Sequence, residues 1–103
     1  MPTRTATATW NGTLKEGTGT IKVGSGTLEQ SYSFETRFED KPGTTPEELI
    51  GGAHAGCFSM ALSKTLTDAG HAPEQIRTNA NVSLDKSENG FKISTVDLTT
   101  KVK

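Results

Sequence analysis

Residues 44–70, TTPEELIGGAHAGCFSMALSKTLTDAG, decide the fold because their composition predicts one central helix. Thr45 is a good N-cap, Pro46 suits the first helical position, and two acids follow where the helix dipole favours them. Gly70 provides a C-terminal stop. Residues 49–66 are rich in Ala, Gly, Met and Leu, whereas a surface helix would show a polar stripe. The sequence therefore predicts a helix that is buried on most sides.

The residues before this helix predict an antiparallel β-meander. Residues 5–10 and 19–23 have the composition of short strands. Two turn signals separate the strands: Asn11-Gly12 and Ser25-Gly26. Residues 28–38 alternate with a period of two, which places apolar side chains on one face and Arg37 on the opposite, polar face. A polar break follows at residues 39–43.

The residues after the helix predict a β-hairpin. Strands at residues 79–84 and 91–102 flank Asn89-Gly90, which is a strong hairpin signal. A shift in the apolar phase indicates a β-bulge near residues 94–95. The expected fold class is therefore α+β, with an N-terminal antiparallel β-meander, a central buried helix that carries the cysteine, and a β-hairpin.

The length and charge of the chain limit its architecture and its partners. A chain of 103 residues predicts one domain over residues 1–103, and its hydrophobic content of 31% suggests that oligomerisation adds stability. The net charge of −1, without a basic stretch, argues against nucleic acid or an anionic membrane as a partner. The N-terminus contains no apolar segment for export or membrane insertion, so we expect a cytoplasmic protein.

Cys57 is the only cysteine, so it cannot form a disulfide within the chain. A lone cysteine is usually a small buried hydrophobe, and no pattern in the sequence indicates a metal site. His54 lies one helical turn before Cys57, but a Cys–His hydrolase or a metal corner needs further groups that the sequence does not show. We expect a buried, hydrogen-bonded His54, and Phe58, Met60 and Leu62 in the core.

Three blocks of residues stand in a fixed order around the helix: TRFE at 36–39, GTTPEELI at 43–50 and AHAGCFSMALS at 53–63. A tryptophan close to a glycine near the start and VSLDK at 82–86 flank these blocks. Together they resemble the OsmC (osmotically inducible) protein family over essentially the whole chain. Because Arg37 stands just before the helix, the chain resembles the OsmC branch more than the organic hydroperoxide resistance branch.

Resemblance to this family implies a thiol-dependent peroxidase that reduces organic hydroperoxides and, less well, hydrogen peroxide, in defence against oxidative and osmotic stress. It implies that Cys57 is the peroxidatic cysteine, Arg37 its cationic partner, and Glu47 the acid that positions the arginine. No cofactor or metal ion is expected. The expected partners are the hydroperoxide, a thiol or dithiol reductant, and a second copy of the chain in a homodimer with active sites at the subunit interface.

Peroxide reduction by a thiol accounts for these residue types. A thiol attacks a peroxide as the thiolate, and an unperturbed cysteine is mostly protonated at neutral pH. A neighbouring guanidinium favours the thiolate and donates to the peroxide oxygens, and a carboxylate fixes the guanidinium. Simpler interpretations stay open at this point, with Arg37 as an exposed ion-pairing residue and Glu47 as an acid that compensates the helix dipole.

The spacing of Glu47 and Cys57 restricts how they can share a site. On one unbroken helix the ten residues between them correspond to about 15 Å of rise. Either Gly51-Gly52 breaks the helix, or the two groups meet across two chains. The family's intertwined dimers fit the second alternative.

The sequence departs from the family at its C-terminal end, because the family's second cysteine and later helices have no counterpart before Lys103. We expect the chain to correspond to the N-terminal two thirds of a family member. A shortened chain, a natural N-terminal half, and a chain completed by another polypeptide remain alternatives. Impaired turnover is expected without the second cysteine, so a non-catalytic scaffold and a thiol redox sensor are the competing functions.

Overall fold

The computed structural model describes residues 3–24, 26–39, 43–88 and 90–103, with Ser87 described by its backbone only. Its strands and helices follow one another as β1 (Ala6–Asn11), β2 (Thr18–Val23), β3 (Leu28–Tyr32), α1 (Phe34–Phe38), α2 (Pro46–Asp68), β4 (Ile76–Ser87) and β5 (Gly90–Val102). These elements divide into two compact units, Met1–Pro46 and Glu47–Lys103. The α+β class and the order of meander, main helix and hairpin are confirmed.

The first unit is built on the antiparallel sheet β1-β2-β3, as the strand pattern predicts. Its register places Trp10 opposite Gly19, and Gly19 opposite Tyr32. The rings of Trp10 and Tyr32 therefore meet over the glycine, with centroids 5.4 Å apart. A Cβ atom on Gly19 would lie 2.6 Å from a Trp10 ring carbon, so the aromatic pair requires a glycine at this position.

The structure differs from the sequence prediction after Tyr32, where the expected strand over residues 28–38 is replaced by the short helix α1. Ser33 is the N-cap, and its hydroxyl accepts a hydrogen bond from the Thr36 N–H. The Thr36 hydroxyl in turn accepts from the Ser33 N–H at 2.9 Å. This reciprocal capping box satisfies two backbone donors and starts the helix.

The two-residue period of apolar side chains did not show whether the end of the segment 28–38 is a strand or a helix. Phe34 and Phe38 share a face at a period of two, but also at the i, i+4 spacing of a helix. In α1 their ring centroids are 5.0 Å apart. The strand prediction was therefore wrong for Phe34–Phe38, and Arg37 lies in the last turn of a helix instead of on a strand.

The second unit contains the 23-residue helix α2, which begins at Pro46 as predicted and continues without a break through Gly51-Gly52. It ends at Asp68, and Gly70 adopts the left-handed conformation with φ of 87°. The N–H groups of Gly70 and His71 donate to the carbonyls of Thr67 and Leu66 at 3.0 and 2.8 Å. These two bonds form a Schellman motif, which confirms the predicted C-terminal stop.

The same unit contains the antiparallel hairpin of β4 and β5. Ser83 pairs with Thr95 and Leu84 pairs with Ile93, so Ser94 is the extra residue of a β-bulge. The bulge confirms the position that the apolar phase predicted. Asn89 of the hairpin signal, Ser25 of the second turn signal and residues 40–42 of the polar break lie outside the described residues.

One side of α2 packs on this hairpin through small and polar side chains. A Cβ atom on Gly51 would lie 3.0 Å from Val82 Cγ2 and 3.4 Å from Ala80 Cβ. Farther along the helix, the Ser59 and Thr78 hydroxyl oxygens are 2.7 Å apart. The Thr78 hydroxyl oxygen is also 2.8 Å from that of Thr100, so three hydroxyls link the helix to both strands.

The opposite side of α2 is exposed in this chain. Within the described residues Gly51 and Glu47 are the buried positions of the helix, and Met60 is 79% exposed. The prediction of a helix buried on most sides is therefore wrong for the single chain, since the hairpin covers only one side. Phe58, at 38% exposed, and Met60 are likewise not core residues, while Leu62 is half-buried. None of the described helices is both long and apolar enough to cross a membrane.

The close approach of α2 to β4 predicts opposite effects at two adjacent glycines. Gly51→Leu places a side chain against Val82 and is expected to lower the free energy of unfolding by about 1–3 kcal/mol through overpacking. Gly52 has open space around its Cβ position, so Gly52→Leu is the matched control and should gain about 0.5–1 kcal/mol from helix propensity. Urea unfolding measures both. Equal losses would show that the helix does not pack on the hairpin through Gly51.

Candidate active site

Arg37 is presented by the last turn of α1 in the first unit. The residue is half-buried, and its guanidinium carbon lies 5.1 Å from the centroid of the Phe38 ring. This distance is within the range of a cation–π interaction, which favours Arg over Lys because the planar guanidinium stacks on a ring. Arg37 is thus half-buried beside an aromatic ring instead of fully exposed.

A cavity of about 210 Å³ adjoins Arg37 in the same unit. Its apolar lining consists of Trp10, Leu14, Tyr32, Phe34 and Phe38. Arg37 and Ser33 are the polar lining residues. This cavity is not predicted by the sequence pattern, although Trp10 before a turn and the glycine at position 19 are signals for it. The reason is that the aromatic side chains meet only because of the register of β1, β2 and β3 and the formation of α1.

Glu47 lies in the first turn of α2, one helical turn before Gly51, the glycine that approaches β4. Its side chain is only 7% exposed, and it is the buried charged residue among those described. A carboxylate that only compensates the helix dipole needs no such burial. Burying a carboxylate is unfavourable unless it is hydrogen-bonded or paired with a cation, so a specific role of Glu47 is indicated.

Cys57 lies on the exposed side of α2. Ile50, Ala53, His54 and Ala61 recur with it at helical spacing and are also exposed, and we call these five residues the outward stripe. The interpretation of Cys57 as a buried hydrophobe is therefore wrong for this chain, as is the expected burial of His54. The thiol is accessible to a peroxide in solution, which a nucleophilic cysteine requires.

The outward stripe contains no charged side chain apart from the titratable His54, although it is exposed in this chain. Between Glu48 and Lys64 the helix has no Asp, Glu, Lys or Arg. The Lys64 ammonium pairs with Asp68 at 2.6 Å in the exposed end of the helix. An exposed helix face is normally polar, and uncharged exposed faces are typical of surfaces that another molecule covers.

The unbroken α2 separates Glu47 from Cys57. Their positions differ by ten residues, which corresponds to about 15 Å along the axis. The Glu47 side chain is buried, whereas that of Cys57 is exposed. The alternative of a helix break at Gly51-Gly52 is thus wrong. Arg37 belongs to the first unit, and Glu47 and Cys57 belong to the second.

The described residues offer no cluster of three or more His, Cys, Asp or Glu side chains that could hold a metal ion. The described residues contribute an accessible thiol, a guanidinium beside an apolar cavity, and a buried carboxylate.

The sequence of the chain is similar to that of known proteins. Residues 38–103 match the family model described as OsmC-like protein. The chain is 54% identical over 96 residues to the peroxiredoxin OsmC of Escherichia coli K12, covering 92% of this chain and 67% of the relative. The chain belongs to the OsmC-like family. An equally similar peroxiredoxin OsmC comes from Shigella flexneri.

Solved structures of this family share the fold. An organic hydroperoxide resistance protein OsmC from Legionella pneumophila superposes with a TM-score of 0.70 at 25% identity, over 95% of this chain and 70% of its own. The organic hydroperoxide resistance protein OhrB of Bacillus subtilis has a TM-score of 0.70 at 28% identity, over 96% of this chain and 72% of its own. The OsmC-like fold that the sequence predicted is confirmed.

The capping box predicts that Ser33 stabilises the helix that presents Arg37. Ser33→Ala removes the cap and is expected to lower the free energy of unfolding by about 0.5–2 kcal/mol. Ser31→Ala, at an exposed position of β3, is the matched control and should change it by less than about 0.5 kcal/mol. Chemical denaturation followed by Trp10 fluorescence measures both variants. The same small effect from both would show that the cap is not formed.

Proposed function

We propose that this chain is a thiol-dependent peroxidase that reduces organic hydroperoxides, and hydrogen peroxide less well, in defence against oxidative and osmotic stress. The observation that carries the proposal is the accessible thiol of Cys57 on α2, in a chain 54% identical to a peroxiredoxin of this family. A redox-inert cysteine would normally be buried among apolar side chains.

In the proposed reaction, the Cys57 thiolate attacks one oxygen of the hydroperoxide. A sulfur–oxygen bond forms as the oxygen–oxygen bond breaks, and the leaving alkoxide takes up a proton to become an alcohol. Sulfur is oxidised by two electrons to a sulfenic acid, and the peroxide is reduced by the same two electrons. A thiol or dithiol reductant then reduces the sulfenic acid and releases water.

Arg37 is the proposed catalytic cation. A guanidinium favours the thiolate and stabilises the negative charge that develops on the leaving oxygen. Its stacking on Phe38 and its place beside an apolar cavity support this role, since electrostatic interactions are stronger where water is excluded. Glu47 is the proposed positioning residue, whose carboxylate fixes the orientation of the guanidinium. The burial of Glu47 supports this role because such a carboxylate requires hydrogen-bond donors.

We further propose that the working form is a homodimer. The uncharged Ile50, Ala53 and Ala61 and the exposed Met60 are the surface on which a second copy would pack, beside Cys57. A dimer would also overcome the separation of Glu47 and Cys57 along α2, because Cys57 of one chain can then approach Glu47 of the partner subunit. The prediction that residues 1–103 form one domain stays a prediction. A free peroxidatic thiol suits a reducing compartment, so the proposal places the protein in the cytoplasm.

Direct oxidation of the protein tests the peroxidase proposal. With stoichiometric cumene hydroperoxide, mass spectrometry should show rapid formation of a sulfenic acid on Cys57. Arg37→Ala is expected to slow this step by roughly 10²–10³-fold, the range for loss of one electrostatic donor. Arg77→Ala, which removes an exposed arginine from β4, is the matched control and should react at the wild-type rate.

Two results would contradict the proposal: no sulfenic acid within the time of the assay, or equal rates in Arg37→Ala and wild type. Multiple turnovers with an added dithiol then separate an enzyme from a thiol redox sensor, which would be oxidised once per chain. A non-catalytic scaffold would show neither reaction.

A further inference from the structure

We infer that His54 is a further catalytic residue of this reaction, the acid that gives a proton to the oxygen leaving from the hydroperoxide. The inference rests on the proposed function and deepens it, because the alkoxide that departs when Cys57 is oxidised must take its proton from a donor. It assigns that donor to the imidazole one helical turn before the thiol.

The geometry of α2 places this imidazole beside the thiol. His54 and Cys57 are three residues apart on one unbroken helix, and both are exposed. Side chains at this spacing are neighbours on a helix, with Cβ atoms about 5–6 Å apart. A hydroperoxide that approaches the sulfur from solvent therefore meets the imidazole on the same side of the helix, within reach of a hydrogen bond made directly or through one water.

His54 is the only helical neighbour of the thiol that can release a proton. The other positions three or four residues from Cys57 along α2 are Ala53, Met60 and Ala61. The side chains of alanine and methionine have no proton to donate. The two alanines are also small, so they leave room beside the thiol for a peroxide that contacts the sulfur and the imidazole together.

The other two groups of the proposed site do not suit this role. A guanidinium such as that of Arg37 is not deprotonated in proteins, so it stabilises charge without transferring a proton. Glu47 is proposed to accept hydrogen bonds from that guanidinium, and an ionised carboxylate has no proton to give. Imidazole, by contrast, loses and regains a proton near neutral pH, which suits a donor that acts once in every cycle.

The proposed step balances in atoms and in charge. The thiolate attacks the terminal oxygen, and the electron pair of the breaking oxygen–oxygen bond stays on the departing alkoxide oxygen. The imidazolium of His54 transfers its proton to that oxygen, which leaves as the alcohol, while the sulfur becomes a neutral sulfenic acid. The imidazole then takes up a proton from water before the next cycle.

The basicity of the leaving group tests the inference. Cumene hydroperoxide releases a strongly basic alkoxide that needs the proton, whereas peroxybenzoic acid releases benzoate, which does not. Iodoacetamide alkylates the thiolate and releases iodide, so it reports on the reactivity of the sulfur alone. In the full chain, His54→Gln is expected to slow sulfenic acid formation by cumene hydroperoxide roughly 10²-fold, and to change the rates with the other two reagents by less than about threefold.

His71→Gln is the matched control. His71 is the other histidine of the chain and is exposed in the loop after α2. This variant should react at the wild-type rate with all three reagents. A selective loss with cumene hydroperoxide in His54→Gln is a result that a merely structural role of His54 would not produce.

Three results would overturn the inference: a wild-type rate of His54→Gln with cumene hydroperoxide, an equal loss with peroxybenzoic acid, or an equal loss with iodoacetamide. The first would mean that water supplies the proton, and the other two that His54 acts on the thiolate or on the fold. The peroxidase proposal is decided separately, by the wild type and Arg37→Ala. If the wild type forms no sulfenic acid, both are overturned.

Discussion

The continuity of α2 is the constraint on which the proposed site depends. One unbroken helix of 23 residues carries both Glu47 and Cys57, and it keeps them about 15 Å apart along its axis. Gly51 lets the helix approach β4 closely, and the hydroxyls of Ser59, Thr78 and Thr100 join the helix to the hairpin. The side that carries Cys57 is not covered by the hairpin and is exposed.

The first unit holds a cation, Arg37, beside an apolar cavity. Gly19 allows the Trp10 and Tyr32 rings to meet across β2, and the Ser33 cap turns the chain into α1 immediately after β3. Arg37 consequently lies one helical turn beyond the cap, stacked on Phe38. A guanidinium in such surroundings interacts more strongly with a developing negative charge than one in bulk water.

The sequence predicted those parts of the fold that local chemistry determines: the start of α2 at Pro46, its Schellman end at Gly70, the β-meander and the bulge at Ser94. It did not predict α1, because Phe34 and Phe38 satisfy the period of a strand and of a helix alike. The sequence also did not predict which side chains of α2 are exposed, nor the cavity beside Arg37. The exposure of His54 and Met60 depends on which side of α2 the hairpin covers, and the cavity beside Arg37 depends on strand register.

The most direct test of the account is complementation between two inactive variants, Glu47→Gln and Cys57→Ser, mixed as subunits. If Cys57 works with Glu47 of the partner subunit, half of the statistically formed dimers contain one intact site, and the mixture recovers about a quarter of the wild-type peroxidase activity. Recovery at that level, with each variant alone far below it, is the predicted result. An activity equal to the average of the two separate variants would contradict the account, since it would mean that Glu47 and Cys57 act within one chain.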